Sequence, residues 1–253
     1  MFAMFIIEHI SKHTKRGKKM NYDIEINERQ TEILELLKKE ERADVSYLAK
    51  KFFASEMTIR RDLKLLEENG LLKRYRGGAV GTQKISETPI KLRRYLKEDE
   101  KKKLSEKTRK HLSDNLYVFL DSSSTCMYIA PILAEYKNIR LVTNSVQTLL
   151  YASRFHIPTV LAGGNYDEFD MCLTGYEAER YLRNISVDVA FLSALAYSDD
   201  GIISDNNESE TAVRKAVMEN AKKTIFLFEP TKLHKKSNLI LCRREDVSDI
   251  ILL

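Results

Sequence analysis

Arg60 and Arg61 directly follow Thr58 and Ile59, Lys64 stands one turn further on, and Arg74 and Arg76 flank Tyr75 in a short basic run that ends at Gly77-Gly78. Cations spaced this way neutralise phosphates, and an arginine fork can also take O6 and N7 of a guanine together. With Ile59 at zero on a wheel of 100° per residue, Leu63 and Leu66 fall within about 40° of it; Arg61 and Lys64 lie on the far side, flanked by Arg60 and Thr58. One face packs and the other is free to enter a groove. Ser55 and Tyr75 add hydroxyls suited to phosphate contacts, which position a protein without reading sequence. The plainer alternative is a small helical bundle whose arginines are only soluble surface.

A second set of polar residues follows short apolar runs further along. Asp121-Ser122-Ser123-Ser124-Thr125 comes after Leu120, Thr143-Asn144-Ser145 after Val142, Ala162-Gly163-Gly164-Asn165 after Leu161, and Glu229-Pro230-Thr231-Lys232 after Phe228. Hydroxyls and unpaired amides at a helix start favour a bound anion such as phosphate, because the helix dipole is positive there. Taken alone, Asp121 to Thr125 reads first as an ordinary N-cap box; the four polar strand ends together favour a binding site. Glu210 and Arg214 have the spacing of a surface ion pair one helical turn apart.

The elements that position these groups can be read from periodicity. A helix starts after Asn27, with Ile33, Leu34 and Leu37 on one face. Glu41 to Asp44 reads as a polar break, with Asp44 capping a short helix through Leu48 to Phe52 and Ser55 capping the basic-faced helix, which closes at Asn69-Gly70. Leu71 to Gly78 then suits a two-stranded wing, giving the winged helix-turn-helix plan over residues 24–80. Residues 81–103 read as a polar linker passing into a helix that carries Leu104, Thr108, His111 and Leu112. Over 104–253, apolar runs at Leu116–Leu120, Arg140–Val142, Thr159–Leu161, Val187–Leu192, Ile225–Phe228, Leu239–Leu241 and Ile250–Leu252 alternate with helical segments. That alternation predicts an α/β domain built on a largely parallel sheet. In such sheets ligands sit beyond the carboxyl ends of the strands, where the four polar stretches lie.

Composition agrees with two domains of unequal charge. Residues 1–110 hold 28 Lys and Arg against 18 Asp and Glu, and residues 111–253 hold 14 against 19. A basic front joined to an acidic back suits polyanion binding by the front alone. Cys126, Cys172 and Cys242 have neither disulfide nor zinc spacing, which fits a reducing cytoplasm, and no stretch is long and apolar enough to span a bilayer. Met1 to Met20, apolar and then basic, reads as a disordered extension or a start assigned too early, with Met20 as the alternative first residue.

Arg29 onward, the string Ser55-Glu-Met-Thr-Ile-Arg-Arg-Asp-Leu63 and the run Arg74 to Ala79 resemble the DNA-binding signature of the DeoR family of bacterial transcriptional regulators, and the likeness continues to Leu253. The resemblance implies a repressor without a cofactor, whose Rossmann-like sensor domain is similar in fold to sugar-phosphate isomerases. Its partners would be operator DNA, a phosphorylated sugar effector and further copies of itself, as a dimer or tetramer. By the same resemblance Ser122, Ser124 and Thr125 hold the phosphate, Thr143, Asn144, Gly163, Gly164 and Lys232 close the site, and Glu210 and Arg214 match a family Glu-x-x-x-Lys pair. The chain departs from the family pattern at Ser123, where a glycine is usual, at Asp199-Asp200-Gly201 after Ser193 to Tyr197, and at Glu229, where an aspartate is usual. Two other readings remain at this level. One is a sugar-phosphate isomerase or deaminase relative with Asp121, Asp205, Glu208 or Glu210 as general base, His156 having only a structural or surface role. The other is a DNA binder whose second domain is mainly an oligomerisation platform, its site decayed at Ser123 and Ser193 to Tyr197.

Overall fold

Two of the three N-terminal helices begin where a side chain takes up their free amides. The computed structural model describes residues 26–69, 71–81 and 89–253; Met1 to Met20, Gly70 and the first part of the expected linker lie outside the described residues. In it α1 (Glu28–Glu40) opens on Asn27, whose side chain accepts the Gln30 amide while the Gln30 side chain accepts the Asn27 amide. Helix α3 (Glu56–Glu68) opens on Ser55, whose hydroxyl accepts the Thr58 amide at 3.1 Å. Between them, α2 (Val45–Lys51) starts at Asp44 with no side-chain cap, contrary to the sequence expectation. The Asp44 carboxylate instead accepts the Tyr75 hydroxyl at 2.6 Å. The three helices close over Ile33, Leu37, Leu48, Ile59, Leu63 and Leu66, all essentially without exposure. Each contributes about 1.5–3 kcal/mol by leaving water.

The wing has three strands rather than two. Arg42–Asp44 (β1), expected as a polar break, pairs antiparallel with β3 (Gly78–Gly81), which also pairs with β2 (Leu72–Tyr75). Only its central residue, Ala43, is buried, so the strand has no hydrophobic run to announce it. Gly78 is required where these strands meet, since a Cβ there would stand 2.4 Å from the Ala43 carbonyl oxygen and the Tyr75 hydroxyl.

The second domain is a six-stranded parallel sheet in the order β6 (Thr159–Leu161), β5 (Arg140–Thr143), β4 (Tyr117–Leu120), β9 (Val189–Leu192), β12 (Thr224–Phe228) and β14 (Asp249–Leu252). Counted along the chain this is 3-2-1-4-5-6, the doubly wound order, and the direction of winding reverses between β4 and β9. Alternate side chains feed two cores. Phe119, Ala190 and Phe226 pack with α8 (Tyr176–Arg183) and α9 (Glu208–Met218), while Val118, Leu120, Phe191 and Ile225 pack on the other side with Leu104, Ile129, Ala130 and Leu133. Two antiparallel additions were not expected. β7 (Asn165–Asp167) and β8 (Cys172–Thr174) form a hairpin. Leu239–Arg243 (β13), expected as a further parallel strand, pairs instead with β11 (Ile202–Asp205), beside β10 (Ala196–Tyr197).

The expected linker is largely helical from Pro89 onward, with α4 (Ile90–Arg93) and α5 (Glu98–Glu106) followed by a 3-10 turn over Lys107–His111 that stops before Leu112. It touches both domains: Leu96 is buried in the N-terminal core, and the Ile90 amide donates to the Phe169 carbonyl at 3.0 Å. Among the described residues no helix is long and apolar enough to cross a membrane.

Candidate functional site

Helix α3 is held in place by one buried carboxylate. Asp62 accepts hydrogen bonds from Arg29 Nε at 2.7 Å and Gln30 Nε2 at 2.6 Å, so α3 is pinned to the first turn of α1. The sequence motif contained Asp62 without revealing this partner 33 residues away. With Ile59, Leu63 and Leu66 inward, Arg60, Arg61 and Lys64 are exposed and Thr58 is half-buried. Arg60 lies 3.3 Å from Glu56 and Lys64 lies 3.9 Å from Glu68; both are exposed pairs that an anion can break at a cost of about 1 kcal/mol or less. Arg61 has no hydrogen-bond or ion-pair partner among the described residues.

The basic residues divide between two places. A cavity of about 330 Å³ between α3 and the wing is lined by Arg60, Arg74, Tyr75 and Arg76, whereas Arg61 and Lys64 stand outside it on the outer face of the helix. Arg74 does not project freely: its amide and Nε donate to the two Glu67 oxygens at 2.8 and 2.7 Å, tying the wing to α3. Tyr75 is tied to Asp44, and Ser55 Oγ lies 2.8 Å from Thr58 Oγ1, so both predicted phosphate contacts have internal partners as well. Arg76 is exposed and, like Arg61, unpartnered among the described residues.

In the second domain the predicted residues gather at the reversal of winding. Asp121, at the end of β4, accepts the Ser193 amide at 2.9 Å from the end of β9 and the Ser123 amide at 3.0 Å. Arg214 is the hub: its three nitrogens donate to Asp121 at 3.1 Å, Asp205 at 3.1 Å and Glu210 at 3.0 Å, and all four groups are buried. Of the two readings of Glu210 and Arg214, the surface ion pair does not hold: they form an interior ion cluster, because α9 turns this face toward the strand ends. Burial opposes charge on Arg214, yet Glu210, Asp205 and Asp121 together hold it firmly protonated. Burial likewise pushes Glu210 up, but Arg214, Arg93 and the Ser122 hydroxyl outweigh it and hold the carboxyl below its ordinary range.

The loop hydroxyls are already engaged. Ser122 donates to Glu210 at 2.7 Å and Thr125 to Glu229 at 2.8 Å. Ser123, in the place of the usual glycine, turns its hydroxyl back to accept the Cys126 amide at 3.1 Å, so its side chain caps the turn that follows. The amides of Ser122, Ser124 and Thr125 make no hydrogen bond among the described residues. Lys232 donates to Ser193 Oγ at 2.9 Å and, against the effect of burial, helps hold Glu229 below the usual carboxylate range. Thr143 accepts the Ser145 amide at 3.0 Å, and Asn144 donates to the Leu173 carbonyl at 3.1 Å while its own amide oxygen is buried without a partner. Gly163 and Gly164 lie further out, exposed beyond edge strand β6.

Sequence reasoning missed Ser193 and Arg93. Ser193 directly follows the apolar run Val189 to Leu192, which was the available signal. Arg93, inside the expected linker, forms an ion pair with Asp170 and adds to the charge balance at Glu210. No metal-binding group of His, Cys, Asp or Glu occurs among the described residues, and all three cysteines are buried and free.

Residues 29–84 match the model of the DeoR-like helix-turn-helix domain, and residues 96–252 match that of the DeoR C-terminal sensor domain. An uncharacterised HTH-type transcriptional regulator of Bacillus subtilis strain 168, YulB, is 31% identical over 89% of this chain and 88% of its own length. The transcriptional repressor AccR of Agrobacterium fabrum is 30% identical over 88% of each chain. The glycerol-3-phosphate regulon repressor of Escherichia coli K12 is 26% identical over 83% of this chain and 84% of its own. A pinned helix with an exposed basic face, a wing, and a polar cluster at the switch point of a doubly wound sheet are thus joined in one chain, which belongs to the DeoR family of transcriptional regulators.

Proposed function

We propose that the protein is a sequence-specific repressor of sugar or related carbon metabolism genes, released from or settled on its operator by a phosphorylated sugar. The observation that carries the DNA half is Arg61, unpartnered on the outer face of a helix whose orientation Asp62 fixes. Arg61, Lys64 and Thr58 face the base edges of the major groove, while Arg60, Arg74, Tyr75 and Arg76, with Ser55, meet the phosphate backbone around the cavity beside the wing. The names of relatives, among them a glycerol-3-phosphate regulon repressor, favour a phosphorylated carbon compound as effector. At the switch point the unused amides of Ser122, Ser124 and Thr125, with Lys232, supply donors for a phosphate. Asp121, Glu210 and Glu229 supply acceptors for sugar hydroxyls, with Ser123, Thr143, Asn144, Gly163 and Gly164 around them and Arg214 balancing the carboxylates.

The route between the halves runs through residues 89–101. Lys101 Nζ donates to the carbonyls of Arg93 and Leu96, Leu96 is seated in the helix-turn-helix core, Arg93 pairs with Asp170, and Tyr128, just beyond the Ser122 to Thr125 loop, donates to the Arg94 carbonyl at 2.8 Å. An effector that shifts the loop or the charge balance around Glu210 acts on this segment and so on α3. Winged-helix readers span paired half-sites as symmetric pairs, so the working unit is a homo-oligomer. Of the four carboxylates offered as general bases in an enzyme reading, Asp121, Asp205 and Glu210 are bonded to Arg214 and Glu208 is exposed at the start of α9, so none of them is both buried in the site and free of a cation.

Fluorescence anisotropy on duplexes tiling the region upstream of the gene, across salt concentrations and with a panel of sugar phosphates, tests the whole reading. One duplex should bind well above random DNA with a steep salt slope, and one phosphosugar should shift that affinity. Uniform weak binding would sink the operator reading. Operator binding indifferent to every phosphosugar would leave only the assembly role for the second domain.

A further inference from the structure

Two apolar side chains stand in water where the basic face of α3 begins. Phe53, in the turn before the helix, is 98% exposed, and Met57, in its first turn, is 63% exposed. Phe53 also has φ +49°, the left-handed conformation that follows many helix ends and favours glycine or asparagine. The turn itself is held by the Ala54 amide on the Ala49 carbonyl at 3.0 Å, a bond that needs nothing from the ring. A glycine at 53 would therefore serve the fold better. Met57 lies at 160° from Ile59 on the helical wheel, between Lys64 at 140° and Arg61 at 200°, so toward the N-terminal end of the helix the outward face is apolar with a cation on each side, while the acidic Glu68, at 180°, stands about three turns further on.

That combination suits one surface in particular. The major groove offers acceptors and phosphates to the cations and, among its base edges, one apolar group, the 5-methyl of thymine. The N-terminal turn of a recognition helix is the part that meets base edges, and Met57 is in it. The charges beside Met57 argue for a polyanion over a protein partner. We propose that Met57, supported by Phe53, reads thymine methyl groups at operator positions next to those contacted by Arg61 and Lys64. The inference rests on the operator-binding reading above and adds a specificity determinant to it.

The test uses the full-length protein and the duplex that it selects from a random pool, with each thymine in turn replaced by deoxyuridine. Wild type should lose about fourfold in affinity at one or two thymines, the value of about one buried methyl group. Met57→Ala should bind the unmodified duplex several-fold more weakly and lose that methyl dependence at one of them, while Met57→Leu keeps it. Phe53→Gly should lessen the dependence and leave the melting temperature unchanged or raised, which separates contact from folding. Random-duplex affinity should be the same for all variants. Deoxyuridine tolerated everywhere by wild type, or methyl dependence unchanged in Met57→Ala, overturns the proposal while operator binding stands. No preference for the selected duplex over random DNA would overturn the operator reading instead.

Discussion

Arg61 and Arg214 are the same side chain put to opposite uses. Arg61 stands on an exposed helix face with no partner among the described residues, so its charge and its five donors are available to another molecule. Arg214 is buried and spends its donors on Asp121, Asp205 and Glu210. The first contributes little to the fold, and its role in the proposed function is recognition. The second is a structural hub whose carboxylates outnumber it, so the switch point holds surplus negative charge until a further cation such as Lys232 or Arg93 is counted. The two regions therefore fail differently: one by losing DNA, the other by losing structure.

The largest effect should come from Arg214→Met. Removing one partner of a buried ionic cluster leaves the others uncompensated, at about 3–5 kcal/mol. Chemical denaturation should show the sensor domain weakened by that amount or unfolded, and a loss under about 1 kcal/mol would mean that water reaches the cluster and the contrast with Arg61 is overdrawn. Next is Asp62→Ala, which strips α3 of its link to Arg29 and Gln30. Charged hydrogen bonds of this kind contribute about 1.5–3 kcal/mol each, so the helix-turn-helix should melt earlier and operator binding should fall with it. Unchanged melting would show that the packing of Ile59, Leu63 and Leu66 alone orients the helix. Arg61→Ala should then cost about 1–3 kcal/mol in discrimination between operator and random duplex, with stability moved by no more than about 0.5 kcal/mol. Equal preference in mutant and wild type would place another residue at the bases.

The sequence revealed one half of this comparison better than the other, for a physical reason. The pattern of α3 is local: Ile59, Leu63 and Leu66 repeat with the helical period, Ser55 caps, and the cations fall opposite. The parallel strands were legible too, since each is a short apolar run and the inner ones are buried on both faces, and Asp121, Thr143 and Glu229 do lie at their carboxyl ends. What failed depended on distant pairing. Leu239–Arg243 has the composition of a parallel strand and lies in an antiparallel one, because composition does not choose the neighbour. Arg42–Asp44 buries only Ala43 and so looked like a break. Glu210 and Arg214 have the same spacing whether they face water or the sheet; the buried Val213, Ala216 and Val217 around them were the hint that this helix is covered. Arg93 lay in a stretch whose polarity suggested a linker, although its charge is matched by Asp170 some eighty residues on.

That last pair gives the smallest effect at neutral pH and the clearest signature across pH. Burial, with Glu210 and Asp167 adding to it against the pull of Arg93, pushes the Asp170 carboxyl up to about 6 from the model-compound value of 3.8. In the window between those values the folded chain binds a proton that the unfolded chain does not, so this group's stabilising contribution is full below the lower value and is lost as pH rises through about 6. Asp170→Asn is permanently uncharged and cannot follow the same course. At pH 7 the variant loses the ion pair with Arg93 but also an ionised carboxylate beside Glu210, and the two changes oppose each other. Denaturation of both proteins from pH 4.5 to 7.5 should show wild type losing ground to the variant up to about pH 6 and holding a constant difference above it. A difference that is flat throughout would mean that Arg93 keeps Asp170 ionised over the whole range, and that the contact between residues 89–101 and the sensor site is a permanent tie, insensitive to the charge around Glu210.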